Sequence, residues 1–112
     1  MNGKPQNPRT PDWDGDSMFG DRWSPRGFSA EPLTEREIHT LFEAARWAPS
    51  CYNEQPWRFV YATAPQDRER LAACLVAKNQ AWARSTPLLM FLLARRRFQK
   101  TGAENRHAPY DA

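Results

Sequence analysis

Two prolines bracket the segment that most constrains how this chain can fold. Pro49 and Pro56 enclose six residues, and each proline fixes its own φ and disfavours helix in the residue before it. An amphipathic helical pattern runs into this segment, and an apolar strand pattern runs out of it. The hydrogen-bonding side chains between the prolines include Ser50, Tyr52, Asn53 and Gln55. A stiff polar loop suits the presentation of donors to a ligand, but a connector whose polar groups satisfy one another fits the composition equally well.

The helix before the loop has a clear start signal. Thr34 and, three residues later, Glu37 form a capping box, in which each side chain bonds the other residue's backbone N–H group. The apolar residues behind it follow helical spacing at Ile38, Leu41, Phe42, Ala45 and Ala48. We therefore predict a helix over residues 35–47, with His39 on its solvated face and without a function.

The pattern after the loop alternates strand and helix. Residues 57–63 predict a strand, and residues 66–78 predict a helix with Pro65 in its first turn. The buried stripe of this helix is expected to contain Leu71, Ala72, Leu75 and Val76, with Cys74 as a small buried residue on or beside it. Residues 79–82 end or restart the helix. The apolar run over 87–94 predicts a central strand covered on both faces.

The length of 112 residues allows one domain. The sequence at both ends of the chain predicts irregular structure. Residues 1–21 are rich in Pro, Gly and Asp, which predicts a flexible or loosely docked arm with Met18 and Phe19 as candidates to anchor its end. Residues 95–112 are again polar and without a clear period. The folded part is therefore expected over residues 22–94.

The net charge of +3 is concentrated in the second half of the chain. Residues 61–112 contain nine Lys or Arg against four Asp or Glu, a balance of +5. Such a surface suits an anionic partner such as a nucleotide phosphate, and it fits plain solvation equally well. The most basic stretch, residues 95–100, shows no recognition-helix pattern and directly follows an apolar run, as a strand emerging into solvent does. We therefore do not expect nucleic-acid binding.

Cysteine usage and hydropathy indicate the environment of the protein. Cys51 and Cys74 lack metal-ligand spacing and make no disulfide framework, which predicts a reducing compartment and no metal site. The N-terminus has no apolar signal-peptide region. The longest apolar run, over residues 87–94, has eight residues and is far short of a membrane span. The expected protein is soluble and cytoplasmic, with no membrane partner.

A second polar feature precedes the first predicted helix. Arg22, Ser24 and Arg26 alternate in the sequence, and alternate residues of an extended segment project to the same side. Two forked guanidinium groups and a hydroxyl would then converge on one spot, which suits a phosphate or an anionic ring edge. Exposed arginine pairs are also common as solvated groups, so this pattern alone is a weak signal.

Three sequence blocks occur in a specific order and spacing. They are Arg22-Trp23-Ser24-Pro25-Arg26, the helix end Ala44-Ala45-Arg46-Trp47-Ala48-Pro49-Ser50, and Asn53-Glu54-Gln55-Pro56-Trp57-Arg58-Phe59. Together they resemble the N-terminal half of the nitroreductase family of FMN-dependent oxidoreductases. Asn79, eight residues before Pro87, stands where that family places a further flavin-contacting asparagine. The resemblance covers about residues 20–112 and makes residues 22–112 the N-terminal portion of an FMN-binding domain.

The resemblance implies an α+β fold, with a mixed sheet flanked by helices, and an intertwined homodimer with two FMN sites at the subunit interface. The first block, with Arg22, Trp23, Ser24 and Arg26, would hold the phosphate, ribityl chain and ring edge of FMN. The partner subunit's loop would approach the isoalloxazine through the positions of Pro49, Ser50, Cys51 and Asn53. Asn79 would bond the pyrimidine side of the ring, while Gln55 and Trp57 are expected to support the loop and the core.

The implied reaction is ping-pong. NAD(P)H gives a hydride to flavin N5, and the reduced flavin passes electrons to a nitroaromatic, a quinone or a similar small-molecule acceptor. The cofactor carries this chemistry, so no catalytic side chain is expected.

Two departures from the family pattern lead to further expectations. Cys51 and Tyr52 stand where many relatives have smaller residues, so Tyr52 is expected to shape the acceptor pocket. The chain also stops where relatives continue, so the domain reads as incomplete. The alternative to an oxidoreductase is a non-catalytic remnant or interaction module that retains the dimerising surface of the family.

Overall fold

The computed structural model describes residues 8–112, in which short helices surround a small sheet. The elements in chain order are α1 (Ser17–Asp21), α2 (Glu35–Arg46), a 3-10 turn (Cys51–Asn53), β1 (Trp57–Ala62), α3 (Pro65–Ala72), α4 (Ala77–Ala83), β2 (Leu89–Ala94) and α5 (Ala108–Asp111). This order confirms the predicted α+β fold. The predicted helix before the loop and the two predicted strands are all present.

Helix α2 begins where the capping box places it. The Thr34 hydroxyl accepts a hydrogen bond from the Glu37 backbone N–H at 3.2 Å. In return, the Glu37 carboxylate accepts one from the Thr34 backbone N–H at 2.7 Å. That backbone bond, together with the bond from the Thr34 hydroxyl, lowers the pKa of the Glu37 carboxyl. The helix ends at Arg46, one residue before the predicted end, and His39 lies on its exposed face as expected.

The sheet is an antiparallel pair that runs from Trp57 opposite Ala94 to Ala62 opposite Leu89. Phe42 of α2 packs on one face of it, with ring centroids 5.2 Å from Phe59 and 5.1 Å from Tyr61. The mixed sheet that the resemblance implies would need a parallel strand, and residues 8–112 contribute only this antiparallel pair.

The prediction that the second strand is covered on both faces is wrong for the described residues. Leu92 and Leu93 of β2 are 47% and 49% exposed, and Val60 of β1 is 45% exposed. The reason is that β2 has one strand neighbour and few elements stacked on it, whereas a continuous apolar run needs cover on both sides. Apart from Ile38 and Pro56, the buried apolar residues of the described chain are alanines: Ala62, Ala72, Ala83 and Ala108.

The single helix predicted over residues 66–78 is wrong, because the chain breaks between α3 and α4. Leu75 closes a turn by donating its backbone N–H to the Ala72 carbonyl at 2.9 Å, and Val76 is extended at φ −63° and ψ 147°. The Gln80 side chain then caps the freed Leu75 carbonyl at 2.7 Å. The break exposes Val76 and Cys74, so the predicted burial of these two residues is also wrong.

The chain ends differ from the expected irregular arms. Asp16 caps α1 by accepting a hydrogen bond from the Met18 backbone N–H at 2.9 Å. Met18 and Phe19 are 64% and 76% exposed, so they do not anchor this helix. Residues 1–7 of the predicted arm lie outside the described residues. Residues 95–112, expected to be irregular, contain a bridge between Arg97 and Glu104 and the helix α5.

Candidate functional site

The loop between the two prolines has an unusual backbone. Tyr52, Asn53 and Gln55 all have positive φ, at 53°, 52° and 49°. Such values are uncommon outside glycine and cost roughly 1 kcal/mol or more for each residue. Ser50 organises the turn from inside, since its carbonyl accepts from the Asn53 N–H at 3.0 Å and its hydroxyl accepts from the Gln55 N–H at 2.9 Å. The predicted support of the loop by Gln55 is therefore made by its backbone N–H.

A partly buried ion pair ties this loop to the segment after β2. One carboxylate oxygen of Glu54 accepts hydrogen bonds from the Arg95 guanidinium at 2.6 Å and from the Gln99 backbone N–H at 3.1 Å. The Glu54 and Arg95 side chains are only 13% and 28% exposed. Arg95 also donates its backbone N–H to the Pro56 carbonyl at 2.8 Å. The end of the loop is thus fixed by both side-chain and backbone contacts.

The start of the loop is held by a residue near the other end of the chain. Asp111 of α5 accepts a hydrogen bond from the Cys51 backbone N–H at 2.9 Å, across 60 positions of sequence. The Tyr52 ring meets the Phe98 ring edge-on at 6.2 Å and is otherwise 90% exposed. The Cys51 thiol is half-buried. Residues 95–111 therefore surround the loop, a role that no local sequence signal indicated.

The arginine block before α2 lies on the surface with few contacts. Arg22 is extended at φ −67° and ψ 133°, and its guanidinium donates to the Trp23 carbonyl at 3.4 Å. Within residues 8–112, the side chains of Ser24 and Arg26 have no hydrogen-bond partner. These groups are available to a ligand. That Arg22, Ser24 and Arg26 converge on one spot remains a prediction.

An aromatic stack brings the end of this block next to Asn79. The Phe28 ring stacks on the Trp82 ring with centroids 5.6 Å apart. The Trp82 indole N–H in turn donates to the Asn79 side-chain oxygen at 3.4 Å. Phe28 and Trp82 line one groove of about 600 Å³ together with Leu89 at the start of β2. Sequence reasoning missed this stack, since its partners are far apart in the chain and carry no signal beyond being aromatic.

The loop and the Asn79 group lie at opposite ends of the sheet. The loop adjoins Trp57 and Ala94, whereas the groove beside Asn79 adjoins Leu89, whose partner is Ala62. A strand of six residues separates the two ends by roughly 17 Å at about 3.4 Å for each step. A single copy of the chain therefore presents the two groups apart from each other.

The basic stretch after β2 is engaged by groups of the chain itself. Arg95 pairs with Glu54, Arg96 pairs with Glu104 at 3.1 Å, and Arg97 donates to the Gly102 carbonyl at 2.8 Å. These contacts account for the cluster without an external anion. Over residues 8–112 there is no group of three His, Cys, Asp or Glu placed to hold a metal ion, and no helix long and apolar enough to cross a membrane.

Comparisons with known proteins agree on one family. A family model described as the nitroreductase family matches residues 20–85. A Streptomyces coelicolor protein, provisionally named as an NADH dehydrogenase/NAD(P)H nitroreductase, is 31% identical over 83% of this chain and 46% of its own length. A nitrobenzene nitroreductase of Ectopseudomonas oleovorans is 33% identical over 64% of this chain and 31% of its own length.

A solved structure supports the same relationship at the level of the fold. The crystal structure of an oxidoreductase containing FMN superimposes with a TM-score of 0.85 and 34% sequence identity. The match covers 99% of this chain and 57% of that protein. The chain thus spans about half the length of the first relatives it matches.

Proposed function

Because this chain belongs to the nitroreductase family, we propose that it contributes the N-terminal half of an FMN site in an NAD(P)H-dependent oxidoreductase. When bound, FMN would accept a hydride from NAD(P)H and pass electrons to a nitroaromatic, a quinone or a similar acceptor. The observation that carries the proposal is a pair of exposed side chains, Ser24 and Arg26, which match the family pattern and have no hydrogen-bond partner within residues 8–112. The two free cysteines support a reducing, cytoplasmic setting.

The donor chemistry of the exposed block fits the phosphate end of FMN. The side chains of Arg26 and Ser24 are exposed and have no hydrogen-bond partner within residues 8–112, and the Arg22 guanidinium makes one long bond, to a neighbouring carbonyl. Guanidinium groups form short, charge-assisted bonds to phosphate oxygens, often two at once. Arg22, Ser24 and Arg26 would hold the phosphate and ribityl groups, with Trp23 beside them.

The other assigned residues fit the ring end. The side-chain oxygen of Asn79 accepts a hydrogen bond from the Trp82 indole N–H. The amide N–H₂ group of Asn79 is therefore left to donate to a carbonyl of the pyrimidine ring. In the loop, Pro49, Ser50 and Cys51 would supply the surface against the ring, and the exposed Asn53 amide would donate to it. Gln55 and Trp57 would keep the loop in place, and Tyr52 would narrow the space left for the acceptor.

Two features support a homodimer with the site shared between its subunits. The loop and the Asn79 group would meet the same ring, yet they lie at opposite ends of the sheet in one chain. A loop from a second copy resolves this separation. The half-exposed apolar side chains of Val60, Leu92 and Leu93 also provide the kind of surface that homodimer interfaces bury.

The deciding experiment is a titration of the purified protein with FMN and with riboflavin, which lacks the phosphate. We expect FMN to bind at least about tenfold more tightly than riboflavin, because charge-assisted phosphate bonds contribute about 1.5–3 kcal/mol. A dimeric mass by sedimentation, and NAD(P)H oxidation in the presence of nitrobenzene or a quinone, are the accompanying expectations. Absence of FMN binding would overturn the catalytic proposal for this chain.

The second candidate function is an interaction module without redox activity. The exposed apolar faces of the sheet favour it, because they offer a docking surface whether or not a flavin is bound. A folded dimer that stays colourless in excess FMN would identify this alternative. A yellow protein that oxidises NAD(P)H would exclude it.

A further inference from the structure

The left-handed backbone of the loop requires an external constraint. Tyr52, Asn53 and Gln55 each adopt a conformation that short polypeptides rarely populate. Conformations of this kind persist only where the surrounding structure over-determines them. Within the loop, the N–H groups of Asn53, Glu54 and Gln55 donate to acceptors of Ser50 and Cys51. These bonds close the turn without connecting it to residues distant in the chain.

Contacts from the C-terminal residues supply that constraint at both ends of the turn. The Asp111 carboxylate accepts a hydrogen bond from the Cys51 backbone N–H. This is one of the N–H groups that the start of a helical turn leaves without an internal partner. Glu54 follows the turn, and its carboxylate holds both the Arg95 guanidinium and the Gln99 backbone N–H. The two anchors act from 60 and 41 positions away, on opposite sides of the same turn.

We propose that Asp111 and the Glu54–Arg95 pair are positioning residues that hold the loop in its ligand-facing conformation. This inference rests on the proposed function, because the ligand in question is the flavin ring. None of the three side chains needs to touch FMN. They act by keeping most molecules in the binding-competent loop conformation, and the apparent dissociation constant rises in inverse proportion to that fraction.

The charge and burial of the Glu54–Arg95 pair make it suited to this task. Its members are 13% and 28% exposed, so water replaces a lost partner poorly. The Arg95 Nε atom is buried without a hydrogen-bond partner in the described residues, which leaves Arg95 dependent on contacts at its terminal nitrogens. Removing the Glu54 charge therefore leaves a partly buried guanidinium without its carboxylate partner, and the end of the loop loses its ion pair with Arg95.

The test compares Glu54→Gln and Asp111→Asn with the matched control Glu104→Gln. Glu104 also pairs with an arginine, but both partners are about 70% exposed and neither forms a hydrogen bond with residues 49–56. We expect each loop variant to raise the FMN dissociation constant about tenfold, which corresponds to a tenfold fall in the competent fraction. The control should stay within about twofold of the wild type.

The positioning role also predicts a signal that loss of stability alone does not give. In the ligand-free protein, carbon chemical shifts and three-bond HN–Hα couplings of Tyr52, Asn53 and Gln55 should report left-handed backbone in the wild type. In folded Glu54→Gln and Asp111→Asn proteins they should move toward values averaged with ordinary backbone. Asp111→Asn retains the size of the side chain, so the same measurement can be made on this variant if Glu54→Gln fails to fold.

Unchanged couplings and unchanged FMN affinity in either folded variant would overturn the proposal. A wild-type protein that binds no FMN would overturn the proposed function instead. The couplings would then still decide whether residues 95–111 hold the loop. The two failures are therefore distinguishable within the same set of proteins.

Discussion

The two halves of the proposed site differ in how firmly the fold holds them. One half is the loop at residues 49–56, and the other is the segment at residues 22–28. The loop at 49–56 has an internally bonded turn, three left-handed residues and anchors to Arg95 and Asp111. The segment at 22–28 is exposed, and its only stacking contact is at Phe28. Its arginines would lose rotamer freedom only when a ligand binds, at about 2 kcal/mol for each. The fold fixes the loop before any ligand binds, whereas the arginine side chains of the exposed segment would be fixed by the ligand.

This difference separates the expected effects of mutation. Changes at the anchors of the loop should lower stability and weaken binding together, because the fold holds the loop. Changes in the exposed segment should weaken binding and leave stability unchanged. Four variants test this contrast, and they are taken from the largest expected effect to the smallest.

Replacing Arg95 by Met should have the largest effect on stability. It leaves the Glu54 carboxylate, which is 13% exposed, without its cation. We expect a loss of about 3 kcal/mol in the free energy of unfolding, measured by urea denaturation. Arg96→Met removes an exposed pair and is the control, with an expected change below about 0.5 kcal/mol. Equal effects of the two substitutions would mean that the loop is not held by its ion pair.

Arg26→Ala should weaken FMN binding by about tenfold or more without changing the unfolding midpoint. The Arg26 side chain is exposed and makes no hydrogen bond or ion pair within residues 8–112, while a phosphate would gain a charge-assisted bond from it. Riboflavin affinity should be unaffected. Arg70→Ala, which removes another exposed arginine, controls for overall charge. A parallel loss of riboflavin affinity would contradict a role at the phosphate.

Ser50→Ala should lower stability by about 1 kcal/mol, since the Gln55 N–H loses its acceptor inside the turn. It should also weaken FMN binding, because the proposed function brings the same turn against the flavin ring. Ser24→Ala is the comparison, with an expected effect on binding alone. The measurement is urea denaturation combined with FMN titration. Loss of stability in Ser24→Ala would show that the exposed segment is part of the folded core.

The smallest expected effect concerns the capping box at the start of α2, whose residues are assigned no contact with FMN. Hydrogen bonds from Thr34 lower the pKa of Glu37. Its stabilising contribution is therefore complete above the unfolded pKa and is lost as the pH falls through the lower folded pKa. The stability difference between wild type and Glu37→Gln should shrink from neutral pH to about pH 3, with FMN affinity at neutral pH unchanged. A difference that stays constant over this range would rule out the proposed linkage.

Local signals explain the parts of the fold that the sequence predicted well. The start of α2 follows from Thr34 and Glu37, three residues apart, and both strands follow from short apolar runs. The stiffness of the loop was indicated by its prolines. Its left-handed residues were not, because asparagine is only a weak marker of such positions and Tyr52 and Gln55 give no signal for them.

The features that the sequence did not predict depend on distant groups. Gln80 caps the carbonyl exposed by the break after α3, although the pattern of residues 66–78 fits one continuous helix. The pairing of Glu54 with Arg95 spans 41 positions, and that of Cys51 with Asp111 spans 60. The residue types assigned to the FMN site came from the family resemblance. Their division between the two ends of the sheet required the fold.

The contact between Cys51 and Asp111 also bears on the order of folding. Closing a chain segment becomes less favourable as it lengthens, so contacts distant in sequence tend to form after local ones. Helix α2 and the turn at Ser50 can form locally, whereas this contact must wait for β2 and α5 to assemble. It should therefore be among the last native contacts made and among the first to open. Amide hydrogen exchange at Cys51 would accordingly be faster than in the middle of the sheet, which makes the start of the loop a separately opening unit of the native state.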